Sequence, residues 1–404
     1  MTHKGDDVML DQKIIPSKLR PDLGLGRGMR IKSISTEILD IPTIREHKLS
    51  ALSISHQSYV IVRVISEDGV EGVGEAATLG GPRWAEECVE SIKAVIDIYL
   101  APVLIGHSID QIRRVRLIMD QAAKRNNAAK GALETALFDA LGKTQGLPLH
   151  AYLGGCVRGH IPVLWALASG NPVQEIEEAL GLIEKGRHRD FKVKIGAQEP
   201  ADDIVRLQKI TVGLQGHGQL KVVDANQAWD EATADKWMPA LEELGIELLE
   251  QPLEHWNLAG ASRLAARHSL PIMADESVFT PQDAFQVAAA KAADVISLKL
   301  VKQGGLLAMQ DVAAVANAAG IGLYGGCLLE SSVGTAAHLH LYATLPKLTW
   351  GSESFGPLIL LDELAVEPLN YSNFGVALPT GPGLGVILDE DKVKHYRREG
   401  SSNA

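Results

Sequence analysis

Residues 190–226, DFKVKIGAQEPADDIVRLQKITVGLQGHGQLKVVDAN, read as strand, helix, strand. The two ends are short apolar runs rich in β-branched residues, and the middle, ADDIVRLQKITVGL, carries apolar residues at helical spacing. The same rhythm continues on both sides. IPVLWALA (161–168) precedes it, and IELLEQPL (246–253), PIMADES (271–277), DVISLKL (294–300), IGLYGG (321–326) and KLTWGSE (347–353) follow. Segments rich in Ala, Leu, Glu and Lys, such as PQDAFQVAAAKAA (281–293), separate them. Eight apolar strands at regular spacing over roughly 200 residues suit an α/β fold of the (β/α)8 kind, a modified TIM barrel, better than a doubly wound sheet.

Outside this array the pattern changes. RIKSISTEILDIP (30–42) and HQSYVIVRVISEDGVEGVGEA (56–76) alternate like antiparallel strands, with a Glu67-Asp68-Gly69 turn inside the second. Helical spacing follows near Trp84–Leu100, Ser108–Ala122 and Ala128–Gln145. Strands followed by helices predict an α+β capping domain over 29–157, ahead of a barrel over 158–360. From 361 to 404 the βα rhythm is lost, turn residues gather in PTGPGLG (379–385), and this segment is expected to return to the capping domain. Residues 1–28 are polar and without sustained period, which predicts a disordered tail. The glycines at 24, 26 and 28 have no strand before them and no helix after, so they do not read as a dinucleotide loop.

Composition narrows the partners. The chain has 404 residues, 46% hydrophobic and 22% charged, the balance of a globular protein with a sizeable core. With 39 Lys plus Arg against 50 Asp plus Glu, the formal charge is −11, which argues against nucleic acid or an anionic membrane as partner. A small anionic substrate stays open, because a few converging cations dominate a local field. Cys88, Cys156 and Cys327 fit neither a disulfide framework nor a CxxC metal pattern, and read as free thiols in a reducing cytoplasm. No apolar run approaches the roughly 20 residues that span a bilayer. MTHKGDDVML mixes charges early and does not read as a secretory leader.

The informative feature is where charge interrupts the strands. Side chains alternate along a strand, and barrel chemistry sits at the C-terminal strand ends. Lys192 and Lys194 are two apart and share one face. Asp224, Glu250 and Asp275 each end a successive strand, Lys299 sits in ISLKL, and Glu353 closes KLTWGSE. Three carboxylates from adjacent strands form a hard-oxygen set suited to Mn2+ or Mg2+. Taken singly, each could instead cap the following helix or pair with a lysine. A lysine facing a barrel interior must line a site, and nearby positive charge lowers an ammonium pKa and frees an amine to act as base. Lys194 and Lys299, four strands apart, would approach a bound substrate from opposite sides. That arrangement suits proton transfer at a carbon beside a carboxylate. Glu330, in CLLES, lies just beyond the seventh strand and reads as structural. His338 and His340 fall on different faces of a helix and make a poor metal pair.

FKVKIG, VVDANQAWDE, LLEQPL, IMADES, SLKLVKQGG and WGSESFGPLIL resemble the muconate-lactonising subgroup of the enolase superfamily, as do DIPTIREHKLS and GEAATLGGPRW near the N-terminus. The resemblance runs from about residue 29 to the end. A Lys or His base working with one or two divalent ions is the general pattern of that superfamily, and is taken here from the resemblance. It implies metal binding by Asp224, Glu250 and Asp275, and Lys194 as acid/base with Lys192 as electrostatic helper. Lys299 would be the opposite-face lysine and Glu353 a hydrogen-bonding acid. Leu79, Trp84, Asn226 and Phe355 would touch substrate. The implied reaction is cycloisomerisation of cis,cis-muconate, a small dicarboxylate, to muconolactone in catechol catabolism. The implied assembly is a homo-oligomer, an octamer by resemblance. Without a histidine after Gly325-Gly326, the His-based branch of the superfamily does not fit. Chlorinated muconates, dipeptide epimerisation and succinylbenzoate synthesis are alternatives on the same lysines and carboxylates. A Schiff-base aldolase using Lys194 or Lys299 is the alternative from another class.

Overall fold

The computed structural model describes residues 29–48 and 53–401. The expected tail over 1–28, its glycine run and the end of DIPTIREHKLS lie outside the described residues.

Strands β1 (Ile31–Lys48), β2 (Ser53–Ser66) and β3 (Glu71–Thr78) form an antiparallel meander in that order. Gly69 closes the second turn at φ +82°, a conformation open to glycine and costly to most other residues. Helices α1 (Val89–Val95), α2 (Ala101–Leu104), α3 (Ile112–Ala122) and α4 (Asn127–Gln145) follow, and a π-turn over Ile96–Leu100 joins the first two. The helix expected from Trp84 therefore begins later. Cys88 caps it, its backbone N–H donating to Ser91 Oγ at 3.0 Å, and residues 84–87 are left as a loop. Helix α4 is buried on every side from Ala128 to Gly142, and its buried charges are met by partners, Lys130 by Asp120, Glu134 by Leu307 N and Asp139 by Lys143. It crosses β3 at Gly72 and Gly74, where any Cβ would overlap the α4 backbone at Ala136 and Ala132.

The second unit opens with β4 (His160–Pro162), β5 (Trp165–Leu167) and α5 (Pro172–Glu184). It continues through β6 (Asp190–Lys194), α6 (Pro200–Leu214), β7 (Gln219–Asp224), α7 (Glu231–Glu243), β8 (Leu248–Glu250), α8 (Leu258–Arg267), β9 (Ile272–Ala274) and α9 (Pro281–Ala290). It ends with β10 (Val295–Leu298), α10 (Leu300–Gln303), α11 (Leu306–Ala319), β11 (Gly322–Gly325) and α12 (Ser332–Thr344). Strands β5 to β11 make one parallel seven-stranded sheet in sequential order. The eighth expected strand, KLTWGSE, is no regular strand. It shrinks to Ser352, which bridges Val163 on one side and Gly325 on the other and so closes the barrel. Its N–H donates to Pro162 O at 3.0 Å and its carbonyl accepts from Leu164 at 2.9 Å.

The end of the chain, with α13 (Gly356–Ile359), β12 (Tyr371–Ser372), β13 (Gly375–Ala377) and α14 (Glu390–Tyr396), does two things. Strand β13 pairs with β12 and with β4 at the barrel's far end. Further on, Arg397 and Arg398 ion-pair with Glu37 and Asp40 of β1, and Ser401 Oγ accepts from Ile38 N at 3.2 Å. The return to β1 matches expectation; the small sheet with β4 was not foreseen.

Cap and barrel meet at the start of α12. Ser331 N donates to Glu75 Oε1 of β3 at 3.0 Å, and Ser332 N donates to Glu363 Oε1 at 3.0 Å. Carboxylates from two distant segments thus satisfy donors that a helix N-terminus leaves open. Among the described residues no helix is long and apolar enough to cross a membrane. Cys88, Cys156 and Cys327 form no disulfide.

Buried histidines give this fold an acid limit, His188, His338 and His340 among them. His340 Nε2 faces Leu384 O at 3.1 Å and must carry the proton, so His150 Nδ1, 3.1 Å from His340 Nδ1, is the donor of that pair. Burial pushes His340 and His188 down to about 4 and His338 to about 3. Folded values below the unfolded 6.5 mean that the unfolded chain binds more protons. Stability is fully present above pH 6.5 and is lost as pH falls from there toward 4. Unfolding free energies from urea titrations at pH 7.5 and pH 5 are expected to differ by about 2 kcal/mol per histidine, and His340→Gln should remove one such increment. A flat profile would contradict this.

Candidate active site

The barrel interior is layered. Leu164, Val222, Leu248, Met273, Val295 and Tyr324 form an apolar floor, with Trp350 packed against it. Two residues further along their strands stand Asp224, Glu250, Asp275, Ser297 and Gly326. Strand alternation therefore lifts each of these positions one level above the floor on the same inward face. Register supports this, since Lys194, Asp224 and Glu250 are paired neighbours across β6, β7 and β8.

Lys192 is the exception to the apolar floor. It pairs with Val222 at floor level, and its stem carries the ammonium upward into the polar layer. Nζ lies 2.5 Å from Glu250 Oε2, 3.0 Å from Glu353 Oε2 and 3.4 Å from Asp224 Oδ2, with 1% of the side chain exposed. Burial would lower its pKa, but Glu250, Glu353 and Asp224 outweigh that and hold it well above the usual lysine value. Lys192 is a fixed positive charge.

Lys194 sits one level higher and keeps 13% of its side chain exposed. Its Nζ donates to Asp224 Oδ2 at 2.8 Å and to Asn226 Oδ1 at 3.0 Å. Asn226 has φ +42°, and its N–H donates to Asp224 Oδ1 at 2.9 Å. The carboxamide, expected to meet substrate, is turned onto Lys194.

Lys299 stands across the barrel, just past β10. Its Nζ is 2.5 Å from Asp275 Oδ2 and 4.5 Å from the Trp84 ring centroid. Burial works against its charge, yet Asp275 and then Glu353 raise its pKa above the ordinary range. Lys302, fully buried, takes the other oxygen, Asp275 Oδ1, at 2.7 Å and Ser297 O at 2.8 Å. Burial tends to raise the Asp275 pKa, and the two lysines overcome it and hold the group well below the carboxylate range. Trp84 thus reaches the site from the cap and covers Lys299. Leu79 is buried beside it, both lining a small void with Phe279 and Leu328. Phe355 is buried and packs on Trp165 at 4.9 Å between ring centroids.

Asp224, Glu250 and Asp275 do not close on one point. Among the described residues no three His, Cys, Asp or Glu side chains stand together as a metal cage, because each carboxylate is turned to a lysine. Glu250 nonetheless carries the mark of a missing partner. Neither of its oxygens accepts a hydrogen bond and the side chain is fully buried. Burial, and then the Asp224 charge, push its pKa well up against the pull of Lys192. A buried carboxylate with only an ion-pair contact is costly, and two flanking carboxylates make a hard-oxygen set that fits a divalent cation.

Glu276 was not singled out from sequence. It is 4% exposed, Asn226 Nδ2 donates to its Oε1 at 3.4 Å, and Oε2 has no partner. Burial, followed by the Asp275 and Asp224 charges, raises it to about 7. Alternation along PIMADES assigns Glu276 to the helix side, and only the bend after β9 returns it toward Asn226. Glu330 Oε1 accepts from Leu328 N at 2.9 Å within the seam. His338 accepts from Leu300 N while His340 faces His150, so the two serve different partners.

A parallel barrel under an antiparallel cap, with lysines and carboxylates on its strand ends, defines a class. Residues 33–154 match the mandelate racemase / muconate lactonizing enzyme N-terminal domain, and residues 174–392 match the enolase C-terminal domain-like family; the chain belongs to this family. Among its relatives, a chloromuconate cycloisomerase of Cupriavidus necator is 45% identical over 370 residues, 92% of this chain and 100% of the relative. Muconate cycloisomerase 1 of Pseudomonas putida is 46% identical over 360 residues, 89% and 96%. Muconate lactonizing enzyme from Pseudomonas fluorescens complexed with muconolactone superposes with a TM-score of 0.91 at 44% identity, covering 92% of this chain and 100% of that one. Similarity of this depth over nearly the whole of each chain makes the protein a cycloisomerase of this family.

Proposed function

We propose that the chain interconverts cis,cis-muconate and muconolactone with a divalent ion, Mn2+ or Mg2+, held by Asp224, Glu250 and Asp275. The observation that carries this reading is the pairing of Lys194 and Lys299 on opposite sides of a buried carboxylate row. One substrate carboxylate oxygen forms a C–O bond to the diene. The displaced electron pair moves toward the other carboxylate as an enediolate, and Lys194 delivers its proton to the adjacent carbon and regains one from solvent, so that muconate dianion plus one proton gives the lactone monocarboxylate. The ion would supply Lewis-acid stabilisation of that developing charge. Lys192, locked beneath, adds fixed positive charge. Asn226 and Asp224 aim Lys194, and Glu353 holds Lys192 and the Cys327 N–H at 3.2 Å. Lys299, covered by Trp84, faces the substrate from the far side and stabilises charge there. Exclusion of water by the cap strengthens all of these interactions.

The experiment is ultraviolet loss of cis,cis-muconate with Mn2+ supplied and then stripped by EDTA. Metal-dependent loss with muconolactone as product supports the reading; metal-independent turnover would overturn it. Chloromuconates are the second reading, favoured by similarity to both groups of relatives at almost equal identity. Assay of released chloride separates the two. None of the relatives named above is an aldolase. We further place the protein in the cytoplasm as a homo-oligomer, an octamer by resemblance, which light scattering tests.

A further inference from the structure

The Lys299 stem lies against Gly326. Gly326 directly follows β11, and its backbone is pinned on both sides. Its N–H donates to Leu298 O at 2.9 Å, and its carbonyl accepts from Tyr342 Oη at 3.1 Å. Tyr342 Oη also lies 2.8 Å from Leu298 O, so its single O–H is shared between the two carbonyls and ties helix to strand here. The φ of Gly326 is outside the left-handed region, so backbone freedom is not what calls for glycine here. Space is. A Cβ at 326 would overlap Ser297 Oγ and stand 2.6 Å from Lys299 Cε and 2.8 Å from Lys299 Cγ.

We propose that Gly326 is a positioning residue for Lys299, its bare Cα forming the trough along which the lysine stem reaches Asp275. The two overlaps are not equivalent. Ser297 Oγ has no hydrogen-bond partner in the structure, so that hydroxyl can rotate away without losing one. The Lys299 stem is touched at two carbons, and its far end is seated between Asp275 and the Trp84 ring. A methyl group at 326 must therefore lift the stem and carry the ammonium off its seat. The inference rests on the role given to Lys299 above.

The test is a double-mutant cycle on Gly326→Ala and Lys299→Ala, read by melting temperature and by turnover of cis,cis-muconate with Mn2+. Gly326→Ala alone is expected to lower Tm by on the order of 2–4 °C and kcat by about 10²-fold, with KM within about threefold. In the Lys299→Ala background the Tm penalty should vanish, because the stem that the methyl group displaces is gone. Adding Ser297→Ala to Gly326→Ala should not restore kcat. An equal Tm penalty in both backgrounds, or recovery of kcat by Ser297→Ala, would overturn the proposal. So would a Gly326→Ala chain that fails to fold in either background. Folding only when Lys299 is also truncated would uphold it. Wild-type turnover by Lys299→Ala would remove the role of Lys299 in the reaction, and the Tm coupling would still decide whether Gly326 seats it.

Discussion

Lys194→Ala is expected to abolish turnover, with kcat down by at least about 10³-fold, while the melting temperature stays close to that of the parent. Three facts set this apart from the other lysines. Lys194 is the most exposed of the ammonium groups in the polar layer, so it can meet a substrate carbon. It is aimed by two partners, Asp224 and Asn226, neither of which it alone supports. Its loss leaves Asp224 with Lys192 at 3.4 Å, so the buried carboxylate keeps a counter-charge and the barrel keeps its stability. The variant should still bind Mn2+. It should also fail to incorporate deuterium from solvent into the carbon beside the product carboxylate, the direct signature of a missing proton donor. A Lys194→Ala protein that turns over normally removes the assigned acid/base.

Asp224→Asn should be as damaging for a different reason. Asp224 touches Lys192, Lys194 and the N–H of Asn226 at once. Burial raises its pKa, but Lys194 and Lys192 outweigh that and keep it below the ordinary carboxylate range, so it is charged throughout the working pH. The amide keeps the shape and deletes the charge. Mn2+ affinity is expected to fall by more than about 10²-fold, read by titration of the free-ion electron paramagnetic resonance signal. Turnover should stay low even at saturating Mn2+, because Lys194 loses its anionic anchor. Full activity at high Mn2+ would reduce Asp224 to a metal ligand only; unchanged Mn2+ affinity would remove it from the metal set.

The sequence made the row of charged strand ends legible because alternation and strand spacing are local properties. Asp224, Glu250 and Asp275 stand where a period of two puts them, each one step above Val222, Leu248 and Met273. What each charge pairs with was not legible. Asn226 turns onto Lys194 because of a left-handed residue after β7, and Trp84 covers Lys299 because the cap docks there. Lys302 lies just past the expected strand DVISLKL, where nothing in the spacing marks it, yet it is sealed against Asp275 between β10 and α10. Nor could the spacing show that KLTWGSE would contribute only Ser352 to the ladder, or that β4 would leave the barrel to pair with β13. Those outcomes depend on partners distant in the chain, Val163 for Ser352 and Pro162 for Gly375.

The lacing of the last residues onto the first strand also orders events in time. Ile38 bonds to a residue 363 positions later, and Asp40 pairs with one 358 positions later. Synthesis delivers β1 long before its clasp, so the meander waits with one edge unfinished until residues 397–401 emerge. Contacts of such sequence separation form slowly and leave strand edges open in the interval. Truncation before Arg397 would thus spare every group in the polar layer while leaving β1 unlatched.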